Sequence, residues 1–376
     1  MFETLSYLQL QQYWWALISL IGGLLVFLLF VQGGQTLAGS VAKSTDEKNL
    51  VMNSLGHKWE FTFTTLVTFG GAMFAAFPLF YATSFGGAYW VWMIILFCFI
   101  IQAVSYEFRR KPANFLGTKT FDFFLFINGS LGVILLGAAV ATFFTGSEFS
   151  VSDYHLSKWE NPLRGIEAAF NPDNVALGLA VFFLARLLGA LYLINNIDNE
   201  NILLRCIKQV KINAVIFLVF FLFFVFRLLT MDGFAYDPHT KIVSMQTLKY
   251  LNNFLEMPIV FIVFLVGVVS VLSGIAITIF RKSRKGIWHA GAGTVLAVFA
   301  LLLNAGYNYT CFYPSTHDLQ SSLTIQNASS SAYTLTAMSY VSLMIPFVLI
   351  YIFIVWRVID RKKITIKEIN DEDHAY

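Results

Sequence analysis

Nine mostly apolar stretches recur along the chain, at 13–31, 61–83, 86–106, 121–144, 174–195, 212–230, 257–280, 287–307 and 333–357. A helix needs about 20 such residues to cross the hydrocarbon of a bilayer. A membrane β-barrel would show shorter segments alternating apolar and polar residues, and these runs are continuous. The pattern therefore predicts an all-α integral membrane protein with nine transmembrane helices, forming one polytopic domain over residues 1–376. The second and third stretches are separated only by a short turn around Ser84 and Phe85.

Composition narrows the class. Of 376 residues, 57% are hydrophobic and 12% charged, and 39 are Phe. Soluble domains carry about 25% charged residues, so this chain cannot cover a water-facing surface of its size. The net charge of +3 does not point to nucleic acid. Cys98, Cys206 and Cys311 are far apart and suggest neither a zinc site nor a disulfide framework. No Lys or Arg precedes Lys43, so the first apolar run reads as a retained span, since a secretory signal has a positive n-region.

The basic residues set the expected orientation. Nineteen of the 25 fall in alternate segments: around Lys43, Lys48 and Lys58; Arg109, Arg110, Lys111 and Lys119; Arg205, Lys208 and Lys211; Arg281, Lys282, Arg284 and Lys285; and Arg357, Arg361, Lys362, Lys363 and Lys367. The opposite segments hold only Lys158, Arg164, Lys241 and Lys249. Short basic loops stay in the cytoplasm, which places the N-terminus outside and the C-terminus inside. An odd number of spans satisfies this.

A charged group near a span is costly and asks for a reason. Glu60, Glu107 and Asp122 fall at the expected cytoplasmic ends of spans two, three and four. That placement suits proton entry, but carboxylates at helix ends are also simply hydrated, and Glu60 and Asp122 suit helix N-termini. Arg186 falls mid-span and needs a protein partner; an ion pair or carbonyl contact at a subunit interface is the expectation. Gln32-Gly33-Gly34-Gln35 reads as a polar, irregular end to span one, near where Glu60 emerges. Pro78 should kink the outer third of span two. None of the six histidines lies mid-span, so the residues offer no metal or haem site of their own. No phosphate-binding loop of the ATPase type occurs. Composition and spacing alone do not separate a proton-coupled secondary transporter from a subunit of a membrane complex, functional or purely structural.

Two further patterns carry a resemblance. Residues 51–60 read Val-Met-Asn-Ser-Leu-Gly-His-Lys-Trp-Glu, and 69–81 read Phe-Gly-Gly-Ala-Met-Phe-Ala-Ala-Phe-Pro-Leu-Phe-Tyr. Tyr313-Pro-Ser-Thr and the Ser-rich run at 321–331 follow before the last span. These resemble subunit II of the cytochrome bd-type quinol oxidases. The resemblance implies two four-helix bundles plus a peripheral ninth helix, in a bacterial cytoplasmic (inner) membrane. It implies a haem-free chain beside a subunit I that holds haems b and d, in a complex that oxidises quinol and reduces oxygen to water. A small single-span accessory subunit, bound lipid and a bound quinone are open. It also implies a proton path using Glu60, after Trp59, and Glu107 at the end of span three. The family's Asp-Gly-x-Asp pattern is Gln32-Gly33-Gly34-Gln35 here, which replaces two acids by amides.

Overall fold

The computed structural model describes residues 2–111, 114–360 and 363–364. Arg361, Lys362, Lys367 and His374, counted above, lie outside the described residues. Eleven helices organise the chain: α1 (Tyr7–Val41), α2 (Thr45–Gly56), α3 (Trp59–Ala76), α4 (Tyr89–Phe108), α5 (Thr118–Thr145), α6 (Pro172–Asn196), α7 (Glu200–Thr230), α8 (Lys249–Glu256), α9 (Pro258–Arg281), α10 (Gly286–Gly306) and α11 (Ala332–Ile359). Local sequence starts several of them. Ser6 and Gln9 form a capping box at α1. Asn171 caps α6 with Pro172 in its first turn, where the missing amide costs nothing. Asn199 caps α7.

Among the described residues, eight helices are long and apolar enough to cross a membrane. The chain is an all-helical, multi-pass membrane protein. The departure from nine lies at the 61–83 stretch, which is not one continuous helix. There α3 ends at Ala76, and Pro78 begins a four-residue turn of helix that runs into a π-turn over Ala82–Gly87. Proline has no amide for the i−4 carbonyl and its ring clashes there, so a continuous span is broken instead of merely kinked. Two other boundaries move. Helix α1 continues past residue 31 to Val41, and α7 starts at Glu200, twelve residues before the apolar run.

Helices α1 and α6 lie at the centre. Helix α6 packs on α1, α5 and α7, while α1 also packs on α10, which pairs with α9. Close approach is allowed by glycine: a Cβ on Gly33 would fall 2.0 Å from the Ala185 backbone, and one on Gly189 2.4 Å from Gly34 N. Small residues at such crossings let helices pack in lipid. One apolar core surrounds Trp15 and Phe312; the other surrounds Phe30, Tyr192 and Trp356. Both meet α1, one near each end. Only 11% of the apolar window of α11 is buried, which sets it apart from the central helices.

Two hairpins, β1 (Phe149–Val151) with β2 (Ser157–Trp159) and β3 (Gly233–Tyr236) with β4 (Val243–Gln246), close one end of the molecule. The 308–331 segment is stitched to both, by a hydrogen bond from Val151 N to Ser321 Oγ and by the Ala235–Thr310 bridge. The long loops thus form a folded cap.

Candidate functional site: a buried amide network flanked by ion pairs

Gln32 and Gln35 are three residues apart and share one face of α1. Both are buried, at 0% and 3% exposure. The sequence reading made them an irregular helix end; the structure corrects this, because both are helical and inside the bundle. Neighbouring helices supply hydrogen bonds to both, completely for Gln35 and to the Nε2 of Gln32. Gln35 Oε1 accepts from Gln102 Nε2 (2.6 Å) and from the Tyr106 hydroxyl (2.9 Å). Gln35 Nε2 donates to the Leu125 carbonyl (3.0 Å) and to Asn128 Oδ1 (3.1 Å). Gln32 Nε2 donates to Gln102 Oε1 (3.2 Å).

Gln102 and Tyr106 are four apart on α4, and so face the same way. Asn128 opens a π-turn (Asn128–Gly132) inside α5, a feature that often sits at functional positions. Gly129 brings α5 against α1: a Cβ there would lie 2.3 Å from the Gln32 carbonyl oxygen. Gln32 Oε1 and Asn128 Nδ2 have no hydrogen-bond partner among the described residues. One is an acceptor and the other a donor, so ordered water suits both. The Trp59 indole stacks on Tyr106 at 6.1 Å, its ring 13° from parallel. The network is neutral, a requirement for polar groups placed deep among apolar helices. Sequence reasoning missed Gln102, Tyr106 and Asn128. The available signal was polar side chains inside spans.

The charged candidates do not join this network. Asp122 accepts from Arg109 Nε (2.8 Å) and pairs with Lys48 (2.6 Å), while Arg109 also donates to Asn49 (2.9 Å). Asp122 is thereby a link between α2, α4 and α5, not a hydrated helix end. Glu107 is exposed and pairs with Lys111 at 3.4 Å. Glu60 is exposed at the start of α3. Among the described residues of this chain, Arg186 meets neutral side chains. Its guanidinium donates to Asn213 Oδ1 (2.8 Å) and Thr36 Oγ1 (2.9 Å) and lies over the Phe182 ring at 5.5 Å. Neutral dipoles on α1 and α7 disperse its charge within the chain.

Two ion pairs at the same end escaped the sequence reading. Lys58, fully buried, meets Asp360 at 2.9 Å and lies 5.0 Å from the Trp356 ring. Burial pushes the Lys58 ammonium below the usual lysine range, and the Asp360 charge opposes that shift. Asp360 also accepts from Asn196 (3.1 Å), whose oxygen accepts from Ser54 (2.6 Å). Glu47 receives Arg205 through both oxygens (2.7 and 3.2 Å). That guanidinium holds the Glu47 carboxyl below the ordinary carboxylate range.

Two apolar cavities, beside Phe69 and beside Phe217, measure about 80 and 60 Å³, room for a few water-sized molecules at about 30 Å³ each. Among the described residues no group of three or more His, Cys, Asp or Glu converges.

Comparison with known proteins decides the family. The model of the cytochrome bd terminal oxidase subunit II family matches residues 10–359. The chain belongs to this family. As a bd-oxidase subunit II, it is 27% identical to the cytochrome bd-I ubiquinol oxidase subunit 2 of Escherichia coli K12, with 99% of each chain covered. It is 25% identical to the cytochrome bd ubiquinol oxidase subunit 2 of Bacillus subtilis over 81% of each. Its fold is similar to a chain in the structure of bd oxidase from Geobacillus thermodenitrificans: the TM-score is 0.69 at 12% identity, covering 93% of this chain and 98% of that one.

Proposed function

We propose that this subunit II is the haem-free half of a quinol oxidase, paired with a subunit I that carries haems b and d, and that Glu60 and Glu107 serve proton uptake from the cytoplasmic side. The observation that carries the proton reading is the face of α3. Glu60, Thr64, Val67, Thr68, Gly71 and Phe74 are all exposed, at three- and four-residue spacing that puts them on one side of the helix. An exposed face with small and apolar residues is a packing surface for another helix in lipid. Glu60 would then stand at the edge of a subunit interface, where a carboxylate can take up and pass on a proton.

The amide network has a different part. Gln32 and Gln35 bind water but cannot release and recapture a proton as two acids would. It holds α1, α4 and α5 in register, with Trp59 and Tyr106 packed behind Glu60. The basic ends of the helices face the cytoplasm in this reading, with the N-terminus outside, the C-terminus inside, and α3 plus its broken continuation as a ninth crossing. The printed name of the Escherichia coli relative supports ubiquinol as the electron donor.

The test is the complex purified through this chain. Its reduced-minus-oxidised spectrum should show b- and d-type haems, and their absence would overturn the oxidase reading. Glu60→Gln should leave that spectrum intact and slow oxygen reduction about tenfold or more. Unchanged turnover in the variant would leave Glu60 a surface group only.

A further inference from the structure

We infer that the cleft between α11 and the body of the protein is a binding site for one anionic phospholipid of the inner leaflet. The cleft is an open cavity of about 1220 Å³, many times the volume of either interior cavity. Its walls are aromatic and aliphatic: Phe27 from α1, Phe61 from α3, Trp288 from α10, and Phe353 and Trp356 from α11 all line it. A cleft of this character, opening beside a mostly exposed helix, is filled in a bilayer by acyl chains.

The charge at one end selects the headgroup. Lys285 and Arg357 line the cavity from opposite walls, α11 and the residue before α10. Both are exposed, and neither has an ion-pair partner among the described residues. Asp360 is the one acidic residue in the lining, and Lys58 neutralises it at 2.9 Å. Nearby Arg284 is already engaged by Asp198 at 3.0 Å. Among the described residues the rim therefore presents two uncompensated cations. Basic clefts between membrane helices on the cytoplasmic side take phosphate headgroups, and a guanidinium matches two phosphate oxygens at once. One further donor is unspent: the Trp356 indole Nε1, on a side chain 8% exposed, has no hydrogen-bond partner among the described residues.

The bound lipid would cover a helix that packs poorly on its own. It would join the inner half of α11 to α1, α3 and α10 by its chains, and Arg357 to Lys285 by its phosphate. The site rests on the proposed orientation for its leaflet, but not on the redox chemistry of the complex.

The experiment uses the intact oxidase complex, purified in mild detergent from cells containing phosphatidylglycerol and phosphatidylethanolamine. Lipid is extracted and counted per complex by mass spectrometry, and the haem spectrum is recorded on the same sample. The wild-type complex should retain about one phosphatidylglycerol that washing does not remove. K285Q/R357Q should retain roughly tenfold less, since each surface charge contributes to headgroup binding, while phosphatidylethanolamine is unchanged. K285R/R357K should retain the wild-type amount. Equal phosphatidylglycerol in wild type and K285Q/R357Q would overturn the site, as would a wild-type complex that yields quinone and no tightly held phospholipid. A preparation without haem but with the charge-dependent lipid would break the oxidase reading and leave this one standing.

Discussion

The deep network around Gln35 and the ionic belt around Lys58, Asp122 and Glu47 handle buried polarity in opposite ways. In the network, amides and one phenol hydrogen-bond to one another without any formal charge. In the belt, carboxylates meet ammonium and guanidinium groups at helix ends. A neutral hydrogen-bonded group costs little to bury, whereas a charge must be paired and hydrogen-bonded to offset its desolvation. The difference teaches what each device requires: a buried charge at a helix end is met by an opposite charge, and a buried amide within a helix by other neutral dipoles. Arg186 fits the rule at its limit, a lone cation dispersed over Asn213, Thr36 and an aromatic ring.

The comparison breaks most visibly at Lys58. Asp360→Leu should destabilise the purified complex by about 3–5 kcal/mol, because it leaves a fully buried ammonium without its counter-charge. Lys58→Met combined with Asp360→Leu should recover most of the loss in thermal unfolding. If the double variant is no better than the single one, the pair is not a unit. Next comes the network. Gln35→Leu removes an acceptor from Gln102 and Tyr106 together and should cost about 2–3 kcal/mol. A cost near zero would show that water replaces the amide without loss.

Acid sharpens the belt. Glu47 titrates below its ordinary range in the folded chain because of Arg205. Its unfolded form therefore binds the proton first as pH falls, so its stabilisation is complete above the unfolded carboxylate pKa, about 4.3, and is lost as pH drops through the folded value. Glu47→Gln should cost about 1–2 kcal/mol at neutral pH and should flatten the dependence of unfolding on pH below about 4.3; an unchanged slope would sink the assignment. The smallest effect belongs to Glu60. As an exposed residue, its change to Gln should shift stability within about 0.5 kcal/mol, so any fall in turnover is not a folding defect.

The helices were largely legible in the sequence because a membrane span is written locally. What was illegible depends on partners distant in the chain. Gln32 and Gln35 looked like the end of a span because hydropathy scores an amide as polar whether or not Gln102, Tyr106 and Asn128 satisfy it. Asp122 looked hydrated because Lys48 and Arg109 come from other elements. Pro78 was read correctly as a disturbance, but the π-turn after it was not visible in the apolar pattern. Glu60 is where the sequence put it, at a helix start, and its exposed face was not predicted.

The Lys58–Asp360 bond also orders events in time. Synthesis reaches Lys58 about 300 residues before the ribosome supplies Asp360, and domains assemble from the N-terminus as the chain emerges. Until α11 arrives, the early helices hold a cation that has no finished burial site and can keep it only by staying open at that corner. Helix α11 thus completes a site that the early helices begin, and a chain without Asp360 keeps Lys58 with no counter-charge from this helix.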